Sequence, residues 1–311
     1  MGGASGPLYR SLALGKLKRA EEKRMPYMSP TVATWELALR LRQRREQLGM
    51  EVATLATSLG FTRNYWSAVE NERKILSVEK LTKALSLLEF DVDEQRELLE
   101  LREFAKQRGW WANYSALFTN ELGRFYGLEQ GAQSIRTYES MLVPGLLQTE
   151  EYARALISSD RANIRQVEVE QRVEIRMRRQ ACLKGDNPLH LTAVISQAAL
   201  LQQTGGPQTL RAQLAHLVNL IEGLPDTLHL HVIPFTASGC GVFGASTFHL
   251  IDFASPRLPT RAWQETVTAA GIIDDPDQVR DLSLTHEEAR QQSLDLRDSL
   301  DLIKQCHQDL A

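Results

Sequence analysis

The sequence predicts an all-α head followed by a mixed α/β (α+β) C-terminal domain, on three observations. Between residues 36 and 89 apolar side chains recur at helical spacing and glycines punctuate the runs. From Leu189 onward, short stretches of strict apolar alternation take turns with amphipathic helical patterns. The balance of charge also reverses: residues 1–110 carry 19 Lys and Arg against 15 Asp and Glu, residues 111–311 carry 17 against 24, and the halves stand at +4 and −7. A chain of 311 residues, 43% hydrophobic, has room for two cores.

Residues 1–30, rich in Gly, Ser, Pro and basic side chains, read as a disordered basic tail. The head is expected over 31–108. Leu37, Leu41, Arg44, Arg45 and Leu48 make one face of a basic helix that Gly49 stops. A second helix runs from Glu51 to Leu59 with Val52, Leu55, Ala56 and Leu59 inward, and Gly60 supplies the backbone freedom that a helix C-terminus needs. Thr62 caps a third helix whose Phe61, Trp66 and Val69 form the buried side. A helix, a turn holding glycine and a third helix opening Thr-Arg-Asn have the spacing of a helix-turn-helix. Ser77 and Leu81, Leu85, Leu88 mark a fourth helix, and Leu98, Leu101 and Phe104 a fifth.

The stretch Leu41-Arg42-Gln43-Arg44-Arg45 with Leu55-Ala56, Gly60, Ser67 and Val69-Glu70 resembles the lambda-repressor-like, XRE-type regulators. Further on, Tyr138-Glu139, Val143-Pro144-Gly145-Leu146-Leu147-Gln148-Thr149-Glu150-Glu151-Tyr152-Ala153, Arg176 to Gln180 and Val232-Ile233-Pro234-Phe235 resemble the actinomycete family of antitoxin-like XRE regulators, over residues 30–305. The resemblance implies a sequence-specific transcriptional regulator of double-stranded DNA, with a small partner protein encoded nearby in many relatives. Two positions depart from the pattern: Glu51 and Val52 stand where relatives start the second helix with Ser and a phosphate-touching Gln, and Asn71 replaces the usual Gly after Glu70. Asn tolerates left-handed backbone, so Asn71 is expected to make that turn.

Outward positions of the third helix are the candidate DNA readers. Arg63 can donate twice to guanine and Asn64 can bridge adenine, with Thr62, Tyr65 and Ser67 beside them. Arg44 and Arg45, next to the motif, and Arg73 and Lys74, in the loop after it, are the expected phosphate contacts. Glu70 is expected to tie helices together. Because one recognition helix covers half an operator, a homodimer is the expected binding form.

Residues 109–135, with Trp110, Trp111, Tyr114, Leu117 and Phe118, read as an aromatic linker that packs between domains. In the regulatory and interaction domain over 136–311, Thr149 caps a helix, and Glu168/Arg172 and Glu174/Arg178 sit four apart in the favourable order. Arg172, Arg176 and Arg179 share a face, which suits a salt-bridged surface better than an anion site. Strands are expected at Leu189 to Ile195, Leu228 to Phe235, Ser246 to Phe253 and Arg261 to Thr268, with a helix opened by Pro207 between the first two. Asp275-Pro276 and a capping box at Thr285 and Glu288 start two closing helices.

The remaining motifs argue against chemistry. Gly239-Cys240-Gly241-Val242-Phe243-Gly244 spells G-x-G-x-x-G, but a strand-like run follows it where a dinucleotide site needs a helix. His229, His231, Cys240 and His249 have no common metal spacing, and three widely separated cysteines suit reduced thiols. No cofactor, no metal and no catalytic residue is expected, since G-x-S-x-G, H-E-x-x-H and P-loop patterns are missing. The alternatives are an enzyme, such as a hydrolase or nuclease, with a DNA-targeting head, and a protein-only interaction module. No apolar run reaches the roughly 18 residues that a membrane span needs. The expected compartment is the cytoplasm, at the nucleoid when DNA is bound.

Overall fold

The computed structural model describes residues 27–266 and 268–310. Of the expected basic tail, 1–26 lie outside the described residues, whereas 27–30 belong to the packed structure. Ser29 is buried, accepts from the Val32 amide and donates to the Gly127 carbonyl, and Pro30 occupies the first turn, where its missing N–H is harmless.

Five helices build the head: α1 (Pro30–Gln47), α2 (Val52–Ser58), α3 (Arg63–Glu70), α4 (Val78–Leu87) and α5 (Val92–Ala105). Gly49 and Gly60 close α1 and α2 at φ of 64° and 72°, as their residue type permits. Thr62, Ser77 and Asp91 cap α3, α4 and α5, and Asp91 with Glu94 forms a full capping box. Leu37, Leu41, Leu55, Trp66, Leu81, Leu85 and Leu98 fill one core, each leucine stabilising the fold by roughly 1.5–3 kcal/mol.

The first helix is apolar on two sides. Ala33, Leu37 and Leu41 face the head core, while Val32 and Trp35 belong to the core of the C-terminal domain, where Trp35 meets Phe253 edge-on at 5.1 Å. A helix buried on two sides is shared between layers rather than attached to one. The expected linker is itself structured: a 3-10 segment (Trp110–Leu117) leads into α6 (Asn120–Gln130), and Trp110 stacks on Tyr126 at 6.2 Å. Gly127 lets α6 lie against α1, because a Cβ there would come within 1.9 Å of the Thr31 hydroxyl.

The C-terminal domain is a six-stranded mixed sheet between helical layers. In chain order its elements are β1 (Ser134–Glu139), α7 (Glu150–Ser159), α8 (Val169–Arg179), β2 (His190–Ser196), α9 (Ala198–Leu201), α10 (Pro207–Gly223), β3 (Leu228–Ile233), β4 (Phe248–Asp252), β5 (Arg261–Glu265), β6 (Ala270–Ile273), α11 (Pro276–Gln291) and α12 (Leu296–Asp309). The strand order is β3-β2-β1-β4-β5-β6; β1, β2 and β3 run parallel, and β4, β5 and β6 continue antiparallel from β1. One face packs Ile135, Leu191, Leu230 and Trp263 against α6, α8, α10 and α12. The other packs Tyr138, Val194, Phe248 and Leu250 against α11.

Three sequence expectations need correction. The central strand β1 escaped notice because Thr137 and Glu139 occupy buried positions and blur the alternation, and β6 is only four residues long. Thr285 opens no helix: with no Gly or Pro between Asp277 and Gln291, α11 runs straight through it, Thr285 donates to the Asp281 carbonyl, and the closing helix is capped by Asp295 instead. The left-handed residue after Glu70 is Glu72, at φ of 63°, while Asn71 stays at −103° and closes α3 by donating from its side chain to the Ser67 carbonyl.

Candidate nucleic-acid interface

Helix α3 is held from behind and bare in front. The Glu70 carboxylate, buried, accepts from Trp66 Nε1 at 2.5 Å and from Arg45 Nε and Nη2 at 2.6 and 3.0 Å. A carboxylate with three charge-assisted or indole donors fixes the roll of α3 on α1. In front, Thr62, Arg63 and Asn64 are exposed and Ser67 is half-buried, with Thr62 Oγ1 accepting from the Tyr65 amide to start the helix. These lie at or beside the N-terminal end of α3, the end that enters the major groove in this motif.

Tyr65 stands apart from that group. Half-buried, it stacks on Phe61 at 4.6 Å, and the pair forms a platform for two ammonium groups: Lys74 Nζ is 4.5 Å from the Tyr65 ring, and Lys80 Nζ is 4.8 Å from the Phe61 ring. Arg73 is exposed on the same turn. Sequence reading missed Lys80; the available signal was its place one turn into α4, directly after the Ser77 cap. Among the described residues no carboxylate forms an ion pair with Arg63, Arg73, Lys74 or Lys80, so this rim keeps its positive charge for an outside partner.

Arg44 and Arg45 do not join it. Arg45 is turned inward, with Glu70, Glu46 and the Met50 carbonyl on its guanidinium, and its pKa is raised first by the hydrogen bond to Glu70. Arg44 donates to the Leu88 and Glu89 carbonyls at 2.9 and 2.7 Å, the unpaired C-terminal end of α4. Both were expected on phosphates; Arg45 is instead buried against Glu70 at the back of α3, while Arg44, half-buried, is occupied by the two carbonyls that follow α4. Arg42 similarly donates to the Glu70 carbonyl and caps α3.

In the C-terminal domain the three arginines that share a face of α8 separate in role. Arg172 pairs with Glu168 at 3.0 Å, and Arg179 makes two 2.7 Å hydrogen bonds to Glu129. Arg176 has the neutral Gln148 as its hydrogen-bond partner, at 2.7 Å. Nearby, Glu139 at the end of β1 accepts from the Thr247 hydroxyl at 2.6 Å, and burial pushes its carboxyl up to about 7. His249 stacks on Phe125 at 5.5 Å, and burial lowers its imidazole to about 3.

The glycine loop and the histidines are placed by the sheet. Val242 is fully buried and its carbonyl accepts from Tyr138 Oη at 3.0 Å, so residues 239–244 are anchored and lead into strand β4. Strand register puts His249 on the face opposite His231, whose Nδ1 lies 3.1 Å from the Leu294 carbonyl. Among the described residues, no three His, Cys, Asp or Glu side chains are grouped to hold a metal ion, and no helix is long and apolar enough to cross a membrane.

Residues 36–99 match the model of a helix-turn-helix domain, and residues 122–305 match the model of a domain of unknown function, DUF5753. No curated protein and no solved structure matches the chain.

Proposed function

The chain belongs to the family of the domain of unknown function DUF5753 and carries a helix-turn-helix head, and on that premise we propose that it is a sequence-specific transcriptional regulator of XRE type. In this reading the head binds double-stranded DNA in the cytoplasm, and the C-terminal domain dimerises and senses a ligand or a small partner protein encoded nearby. The observation that carries it is the uncompensated rim of Arg63, Arg73, Lys74 and Lys80 around a helix that exposes Asn64 and is locked from behind by Glu70. Arg63 and Asn64 read base edges; Lys74, Lys80 and Arg73 hold phosphates. No chemistry is assigned to the protein.

Dimerisation follows from the size of the reading surface. One eight-residue helix covers half an operator, and two heads one turn of DNA apart, about 34 Å, give specific affinity. Gel shift against genomic fragments, followed by sedimentation with and without the selected fragment, tests both parts. Selective retention of a few fragments by a particle of two chains is expected. Uniform retention, or none, removes the regulator reading, and a one-chain complex removes the dimer.

A further inference from the structure

A cleft of about 490 Å³ separates the turn that leaves α3 from α1, the start of α6 and the edge of the sheet. That volume falls within the roughly 300–1,000 Å³ of small-molecule sites. The half-buried Leu39 supplies an apolar wall, and Arg42, Arg73, Arg124 and Arg261 line the same space.

Arg261 is the unusual member. Its side chain is only 5% exposed, its guanidinium lies 3.6 Å from the Trp35 ring centroid, and Nη2 donates to Glu72 at 2.9 Å. Its Nε and Nη1 are buried without a hydrogen-bond partner among the described residues. Buried guanidinium donors left unpaired are costly, which makes this side chain a prepared receptor for an acceptor-rich group. Glu72 is the intramolecular stand-in: its two oxygens bridge Arg261 at 2.9 Å and Arg124 at 3.0 Å from the left-handed turn that follows α3. Of the other acids facing the cleft, Glu70 is saturated by Arg45 and Trp66, Glu121 lies 3.5 Å from Arg124, and Asp274 sits at the end of β6.

We propose that this cleft binds a small molecule carrying a phosphate group, which takes the place of the Glu72 carboxylate on Arg261 and Arg124 while its apolar part lies against Leu39. Tetrahedral phosphate offers more acceptors than one carboxylate and suits several guanidinium forks at once. Displaced, Glu72 releases the turn immediately after the recognition helix from the sheet, so occupancy alters how the head is mounted. The coupling rests on the regulator reading above; the binding does not.

Calorimetry on the full chain without DNA, using inorganic phosphate and phenyl phosphate as probes, tests the site separately from DNA recognition, which gel shift reports. Saturable binding is expected, tighter for phenyl phosphate, abolished by Arg261→Met and tightened by Glu72→Gln. Arg124→Gln, on a half-exposed side chain, should weaken binding about tenfold and serves if Arg261→Met does not fold. No saturable binding, or binding indifferent to these substitutions, overturns the proposal. Duplex DNA that displaces phenyl phosphate, together with weaker binding of all duplexes by Arg261→Met, assigns the site to the DNA backbone and overturns the small-molecule reading.

Discussion

Two stretches of this chain that carry several cations, the recognition region of the head and helix α8 of the C-terminal domain, differ in how their charge is used. Around α3, Arg63, Arg73, Lys74 and Lys80 meet aromatic rings or solvent. Along α8, Arg172 and Arg179 are matched by carboxylates from the same or a neighbouring helix, and Arg176 by an amide. An exposed uncompensated cation is available to phosphate; a compensated one is part of the fold. Basic density alone therefore does not locate a nucleic-acid surface, and Arg45, paired with Glu70, makes the same point within the head itself.

The comparison breaks most visibly at the buried pair behind α3. Replacing Glu70 by Ala takes from the buried Arg45 guanidinium its closest carboxylate and leaves it only Glu46 and the Met50 carbonyl, and a loss of about 3–5 kcal/mol in denaturant unfolding is expected. The double change Arg45→Met with Glu70→Leu should recover most of it. If Glu70→Ala alone were harmless, α3 would not depend on this clamp.

Its counterpart in the C-terminal domain is Glu139, buried with a single hydroxyl partner. Folded Glu139 keeps its proton up to about 7 against an ordinary 4.5, so the folded state binds more protons in that window and this group's contribution falls as pH rises through it. The imidazoles of half-buried His249 and buried His286, lowered to about 3 and 4 by desolvation, act in the opposite sense, adding stability as pH rises toward 6.5. Glu139→Gln isolates the carboxyl: its stability relative to the parent should grow between pH 4.5 and 7, by on the order of 3 kcal/mol. A constant difference across that range would mean that Glu139 is not held neutral.

On the exposed rim the expected effects lie in binding and not in folding. Arg63→Ala or Asn64→Ala should reduce affinity for the selected operator by about 1–3 kcal/mol and hardly change affinity for random DNA. Unfolding curves of these variants should overlay the parent, since both side chains are exposed. Equal losses on all sequences would move them from reading to positioning.

The smallest effect, and the sharpest distinction, concerns Lys74 and Lys80. Each changed to Ala should lower affinity evenly across sequences and flatten the dependence of log K on log salt by about 0.9. The corresponding change at Arg172 should leave that slope unaltered. If Arg172→Ala flattened it too, the division between available and compensated cations would fail.

How much of this could be read in advance depends on how far apart the deciding residues lie. The head was legible: helical periodicity, Gly49, Gly60 and the caps Thr62 and Ser77 act within one or two turns of chain, and such local signals survive without knowledge of the rest. The same holds for the inward set Trp66 and Val69, whereas the structural role of Glu70 was implied by the family resemblance. The α+β character of the second domain followed from alternation in β2 to β5. Only the tertiary structure decided the rest. It placed β1, whose inward Thr137 and Glu139 hide its pattern, at the centre of the sheet. It gave α1 two cores, turned Arg45 inward, laid Arg44 on the carbonyls after α4, and sorted Arg172, Arg176 and Arg179 by partners up to 50 residues distant. The physical reason is that a side chain's charge and size are written in the sequence, but whether that charge is free depends on which distant group folding brings to it.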